Sequence, residues 1–140
     1  MTCIFKKTIA VFAVLCMFLG ALTACDASVD SKTKRFVKDF FAEVEAGNYE
    51  EAETYLHPSL PADLERYFGD MEQNEGIDFQ SGIKIEKFIS YSAADFDPEV
   101  SGKRYDLKVR ARVSGIGIRF AISIVDNVQG YGIYSCMVDG

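Results

Sequence analysis

The chain has 140 residues, of which 49% are hydrophobic and 26% charged, a length and composition that fit one small domain. It contains 15 basic and 21 acidic side chains, which give a net charge of −6. A nucleic-acid-binding protein would carry a basic surface, so this charge balance argues against that class. Aromatic residues make up 13% of the chain, which is too many for a disordered protein.

Residues 1–24 have the composition of a secretory signal peptide. Lys6 and Lys7 precede an apolar run at residues 9–22, and no acidic residue occurs before Asp26. As a helix, this run would rise about 21 Å, less than the roughly 30 Å hydrocarbon core of a bilayer. A cleaved export signal is therefore favoured over a transmembrane helix. Its removal takes away two basic residues and no acidic one, so the mature net charge becomes −8.

The end of this segment, Leu22-Thr23-Ala24-Cys25, resembles the bacterial lipobox, in which an aliphatic residue and two small residues precede an invariant cysteine. The alternative is an ordinary signal peptide with a cysteine there by chance. The resemblance implies cleavage between Ala24 and Cys25 and a diacylglyceryl thioether on Cys25, often with a further acyl chain. Such chains anchor a protein stably. We therefore expect a lipid-anchored protein at the cell membrane, facing the periplasm or the cell exterior.

A short tether, residues 25–30, joins this anchor to a single domain at residues 31–140. The five residues after Cys25 reach at most about 18 Å when extended, so the domain should lie close to its membrane. In enteric Gram-negative bacteria, Asp26 after the cysteine resembles the signal for inner-membrane retention, whereas in a Gram-positive host it would have no such meaning.

The cysteines do not form a disulfide framework. Cys3 and Cys16 leave with the signal peptide and Cys25 takes the lipid, so Cys136 remains as the one free thiol. The neighbours of Cys136 are apolar, which indicates a buried side chain with no catalytic role.

Three helices are predicted in the first half of the domain. Apolar residues at helical spacing indicate a first helix that begins near residue 30 and ends at Gly47. Asn48 and Glu51 have the spacing of a capping box for a second helix. A third helix is predicted to begin at residues 59–61, with Pro61 near its first turn.

After Gly76 the apolar residues alternate with a period of two, which is typical of strands with one buried face. Strands are predicted near residues 83–91, 104–113, 116–124 and 131–138, with a polar connection over residues 93–102. Helices followed by an antiparallel meander predict an α+β fold. In it, the N-terminal helices pack on one face of a curved antiparallel sheet.

This element order, with the turn Ala46-Gly47-Asn48-Tyr49-Glu50-Glu51-Ala52, resembles the nuclear-transport-factor-2-like (cystatin-like) superfamily. The resemblance implies a conical pocket between helices and sheet, where the enzymes of the superfamily place Asp, Tyr or Arg. The sheet residues expected to face this pocket are nearly all apolar, namely Tyr105, Leu107, Val109, Phe120, Ile122 and Ile124. That composition favours a non-catalytic module that binds a protein partner or an apolar ligand.

The apolar residues of the second and third predicted strands determine how these two strands pair. If Ser114-Gly115 is a two-residue turn, five apolar pairs line one face, and a slip by one residue would break them all. The other face then has Arg110 opposite Arg119, with Lys108 and Arg112 nearby. Like charges opposed across a sheet repel each other, so solvent and salt, an acidic side chain or a bound anion should compensate.

The cations Lys108, Arg110, Arg112 and Arg119 form either a solvated sheet face or a surface for an anion, a partner or lipid headgroups. Charge is segregated along the chain, with 12 acids and one base at residues 39–78, and six bases and one acid at residues 103–119. The cations would repel symmetry-related copies, so we expect a monomer.

Few residues of the chain suit catalysis or metal binding. His57 is the only histidine, and its position before Pro58 at a helix end favours contact with the helix dipole over catalysis. Tyr55 and Tyr67 are candidate polar groups in the pocket, although such aromatic residues are usually core. Residues 95–99 lack the spacing and the glycine of a calcium loop. We expect no cofactor and no metal; the alternative function is a small-molecule enzyme that uses His57 or a Tyr/Asp pair.

Overall fold

The computed structural model describes residues 28–60, 62–96 and 102–139. Three helices, α1 (Ser31–Ala46), α2 (Tyr49–Glu53) and α3 (Leu64–Glu75), precede a 3-10 turn at Phe79–Ser81. Four strands follow, namely β1 (Ile83–Phe96), β2 (Gly102–Val113), β3 (Ile116–Asn127) and β4 (Gly130–Val138). They form one antiparallel sheet in sequential order. The predicted α+β fold, with helices packed on a curved sheet, is confirmed.

Helix α1 begins and ends where its sequence indicates. The carboxylate of Asp30 accepts hydrogen bonds from the Thr33 hydroxyl at 2.6 Å and from the Thr33 amide at 2.9 Å. These bonds lower the pKa of Asp30. At the other end Gly47 has a φ of 74°, and its amide donates to the carbonyl of Val44 at 3.1 Å. The buried stripe of α1 consists of Val37, Phe40, Phe41 and Val44.

The second and third helices differ from the predictions. The predicted capping box does not form, because the Asn48 side chain donates to Glu43 Oε2 at 3.0 Å and makes no cap bond. Helix α3 begins at Leu64 rather than at residues 59–61, since the N-cap is Asp63, whose side chain accepts a backbone amide hydrogen bond of 2.9 Å. The helix continues through Gly69 without ending there.

Strand β1 is longer and less regular than predicted. It extends to Phe96, into residues expected to form a connection, because its pairing with β2 continues as far as Gly102. Two register shifts within residues 85–90 explain why its apolar residues alternate imperfectly.

The β2–β3 hairpin has the predicted register. Ser114 and Gly115 have φ values of 50° and 79°, as a two-residue turn of type I′ requires. All five predicted apolar pairs form, and Arg110 lies opposite Arg119. The remaining hairpin pairs Asp126 with Tyr131, which places Ile133 in the core and leaves Tyr134 exposed.

Side chains fill the space between the helices and the sheet. The rings of Phe41 on α1 and Phe120 on β3 lie 4.9 Å apart. The residues expected to face an open cone are at most 2% exposed, except for partly buried Tyr105, which stacks on Tyr91. The clustered core residues of the described ranges lie between Val29 and Ile133.

Candidate functional site

An apolar groove of about 250 Å³ lies between β4 and the chain that leads into α3. Phe68 and Ile133 are two of its buried lining residues, while Leu60 and Ala62 line it from the connection before α3. Met137 on β4 is 59% exposed beside the groove. None of the described residues that line the groove is charged at neutral pH.

The groove exists because the free edge of β4 is covered only in part. Residues 55–57 pair with this edge: the Ile133 amide donates to the Tyr55 carbonyl at 2.8 Å, and the His57 amide donates to the Ile133 carbonyl at 2.9 Å. Gly132 permits this approach, since a Cβ there would lie 2.5 Å from the His57 nitrogen. Beyond Ile133, β4 borders the groove instead of a neighbouring strand.

Tyr67, one of the predicted polar residues, does line the groove. Its hydroxyl donates to the carbonyl oxygen of Cys136 at 3.0 Å. Burial raises the pKa of Tyr67, and electrostatic interactions with Cys136 and Glu75, of which Cys136 becomes charged only in the alkaline range, raise it further, while a backbone hydrogen bond from Val138 lowers it. The protonated hydroxyl therefore satisfies a backbone acceptor at the edge of the sheet.

Cys136 is partly exposed, although a fully buried side chain was expected. Burial of its thiol nevertheless raises the pKa to about 12, so that little thiolate forms at neutral pH. This property fits the expected apolar role of the side chain and does not suit a nucleophile.

His57 does not line the groove and is only 1% exposed. Its Nε2 donates to Asn127 Oδ1 at 3.0 Å, and its Nδ1 accepts from the Ser59 amide at 3.2 Å. The Ser59 hydroxyl also contacts Nδ1, at 2.7 Å. An acceptor at Nδ1 and a donor at Nε2 correspond to the tautomer that carries its proton on Nε2. His57 therefore ties the chain after α2 to the β3–β4 turn.

The other two polar candidates, His57 and Tyr55, do not line the groove. His57 does not contact a helix dipole, because α2 ends at Glu53 and the ring bonds to Ser59 and to Asn127 at the end of β3 instead. Tyr55 also lies outside the groove and packs edge-on against Phe36, with ring centroids 5.2 Å apart. Burial raises the pKa of Tyr55, and Asp39 raises it further.

The face of the sheet that points away from the helices, which we term the outer face, presents all four predicted cations to solvent. Lys108, Arg110, Arg112 and Arg119 alternate there with buried residues of β2 and β3. Their positions were predictable from the sequence because the apolar pairs of the hairpin determine the register.

Acidic side chains supply part of the expected compensation on the outer face. Arg112 Nε lies 2.8 Å from Glu86 Oε1, and Lys108 Nζ lies 2.9 Å from Asp139 Oδ2. The hydrogen bond from each cation lowers the pKa of its carboxyl partner. Arg110 forms no ion pair with any carboxylate of the described residues.

The sequence did not reveal the groove. Leu60 and Ala62 were expected in a helix, and the sequence left the register of β4 open, so these residues could not be placed beside Met137. The one available signal was the apolar character of residues 136–138 at the end of the chain.

Comparison of the chain with known protein families, with curated proteins and with solved structures finds no match. The predicted signal peptide at residues 1–24, Ala24 and the lipidation site Cys25 lie outside the described residues. Residues 28–60, 62–96 and 102–139 contain no helix long and apolar enough to cross a bilayer. The same ranges contain no group of three metal-ligating side chains.

Proposed function

We propose that this chain is a bacterial lipoprotein, anchored to the cell membrane through lipid on Cys25 and facing the periplasm or the cell exterior. Its domain, on a scaffold like that of the nuclear-transport-factor-2-like superfamily, is a non-catalytic protein-interaction module. The lipobox at residues 22–25 supports the anchor. The main observation in support of a protein interaction is the apolar groove beside β4.

The size of the groove favours an anchor side chain of a partner protein over a free small molecule. Its volume of about 250 Å³ is below the roughly 300–1,000 Å³ that is typical of small-molecule pockets. Protein interfaces concentrate their binding energy in a few side chains that fill pockets of this kind. Tyr134, Met137 and Val138 are exposed apolar residues that would extend the contact on β4.

The backbone of β4 provides a second means of recognition. β4 is an edge strand, and residues 55–57 cover its free side near Ile133, while the Tyr67 hydroxyl donates to the Cys136 carbonyl. An extended segment of a partner can pair with the strand beyond Ile133 if a backbone amide replaces the Tyr67 hydroxyl, and it can insert an apolar side chain into the groove. Backbone pairing would give affinity, and the groove would select the side chain.

Photo-crosslinking in the intact host tests this function. The crosslinking amino acid p-benzoylphenylalanine replaces Met137 in one protein, and Val128, which is 90% exposed on the β3–β4 turn, in a matched control. We expect one discrete protein adduct from position 137 and none from position 128. Ala62→Trp should abolish that adduct, because the indole would fill the groove.

Three results would contradict the proposed interaction. The first is an adduct that persists in the Ala62→Trp variant, and the second is an equal adduct from both positions. The third is the absence of any adduct from position 137 when the protein is folded and membrane-bound.

A further inference from the structure

We infer that the outer face of the sheet docks on the anionic lipid surface that holds the anchor. The helices then point away from the membrane. This inference rests on the proposed lipid anchor at Cys25 and adds an orientation and a lipid class to it.

The charge distribution favours this orientation. Besides the four predicted cations, the outer face carries Lys84, Lys87 and Arg104, against the carboxylates of Glu86, Asp106 and Asp139. The helices and their connections, residues 31–78, have 12 acidic and five basic side chains, four of the basic ones in the first half of α1. The mature protein is negative overall, so an anionic surface would repel its helical side and attract its outer face.

The outer face has more cations than carboxylates. Each of the three carboxylates pairs with a cation, namely Glu86 with Arg112, Asp106 with Arg104 and Asp139 with Lys108. Arg110 lies opposite Arg119 and forms an ion pair with none of these three carboxylates. A headgroup phosphate at Arg110 would accept two parallel hydrogen bonds from its guanidinium group.

A shallow depression of about 250 Å³ beside these cations gives headgroups room to approach. Its lining includes Lys108, Asp106 and the serines at positions 90, 92, 123 and 135, of which Ser123 donates its hydroxyl to Asp106 Oδ1. The Lys108 ammonium and the other three hydroxyls can donate hydrogen bonds to phosphate oxygens. Met137 borders both this depression and the groove, so a partner in the groove would sit close to the lipid surface.

The tether keeps the domain close to the membrane. Asp30, the N-cap of α1, lies against edge strand β1, where the Tyr91 hydroxyl donates to its carboxylate at 3.4 Å. Val29 is buried in the core, so the free tether runs only from Cys25 to Ser28 and reaches about 10 Å when extended. The membrane surface therefore lies close to the β1 edge of the sheet, which also borders the outer face.

Lysine footprinting of the acylated protein tests this orientation. The protein is reconstituted into vesicles of phosphatidylcholine alone or with phosphatidylglycerol, acetylated briefly and analysed by peptide mass spectrometry. We expect Lys84 and Lys108 to react several-fold more slowly on the anionic vesicles. Lys38, exposed on α1, should react equally on both. High salt should remove the protection, because it screens surface charge.

The matched variants are Arg110→Ser on the outer face and Arg35→Ser on the exposed side of α1. Arg110→Ser should reduce the protection of Lys84 and Lys108, and Arg35→Ser should leave it unchanged. Equal acetylation rates on the two vesicle types would overturn the docking, while flotation of the protein with the vesicles would still support the anchor. A protein that floats with neither vesicle type would contradict the anchor and the docking together.

Discussion

Arg110 lies directly opposite Arg119 across the β2–β3 ladder, on the outer face of the sheet. Like charges in this position destabilise a sheet. The apolar pairs on the opposite face determine the register, so the backbone positions of the two arginines cannot move apart without disrupting the core. The positive surface that we propose to face lipid therefore comes at a cost in stability.

Arg110→Glu should raise the free energy of unfolding by on the order of 0.2–1 kcal/mol, because attraction to Arg119 replaces repulsion. Urea unfolding at low salt measures this gain, which should shrink at high salt. Arg110→Gln removes the repulsion without adding attraction and should give a smaller gain. A lower stability of Arg110→Glu at low salt would contradict this account of the outer face.

His57→Phe should lower the free energy of unfolding by about 1–3 kcal/mol. The phenyl ring replaces the volume of the imidazole, but the hydrogen bond to Asn127 Oδ1 is lost and the Ser59 amide loses its acceptor, while Asn127 Oδ1 keeps the amides of Gln129 and Gly130. Ser59→Ala keeps the amide contact and should cost less. Nitrogen chemical shifts should also place the ring proton on Nε2. Equal stabilities of His57→Phe and the parent protein would rule out the structural role of the ring.

Gly132→Ala should be destabilising by about 1–3 kcal/mol, because the new Cβ would lie 2.5 Å from the His57 nitrogen and force residues 55–57 away from β4. Gly117→Ala in β3 is the matched control, since nothing lies within 4 Å of a Cβ at that position. Thermal unfolding compares the two variants. If both lose the same stability, residues 55–57 do not pack against Gly132 in solution.

Cys136 should react slowly with thiol reagents in the folded protein. Burial raises the pKa of its thiol from 9.0 to about 12, so at pH 8 it carries about a thousandfold less thiolate than an ordinary cysteine. Denaturant should restore rapid reaction with Ellman's reagent. Cys136→Ser, with Cys25 acylated, should give no reaction in either state.

The pH dependence of stability follows from the same shift. Burial raises the pKa of Cys136 in the folded state, so between pH 9 and 12 the unfolded chain loses this proton before the folded chain does. The free energy of unfolding is therefore unaffected by this thiol below pH 9 and declines as the pH rises towards 12. Cys136→Ser should therefore flatten the loss of stability in this alkaline range. Rapid reaction of Cys136 with Ellman's reagent in the folded parent protein at pH 8 would contradict both predictions, because it would show that the thiol is not buried.

The sheet could be predicted because apolar and polar residues alternate over short stretches of the sequence. The pairs of β2 and β3 follow from alternation on both sides of Ser114-Gly115, and the fold class follows from the order of the elements. The start of α3 was missed because Asp63 and Pro61 are both plausible helix-starting residues at short range, and the cap formed at Asp63.

The groove and the role of His57 depend on contacts between distant parts of the chain. His57 bonds to Asn127, 70 positions away, and Leu56 pairs with Ile133. No local pattern at His57 distinguishes a ring that links two loops from one that contacts a helix end. The position of Tyr67 beside β4 likewise became clear only when the register of β4 was established.

The proposed location of the protein, its orientation on the membrane and the reach of its tether all depend on acylation of Cys25. The intact mass of the protein extracted from the membranes of its host measures it directly. We predict a chain that begins at Cys25 and carries at least the mass of a diacylglyceryl group, whereas Cys25→Ser should retain residues 1–24 and no lipid. A parent protein with an unmodified Cys25 thiol, or with residues 1–24 still attached, would contradict the proposed anchor.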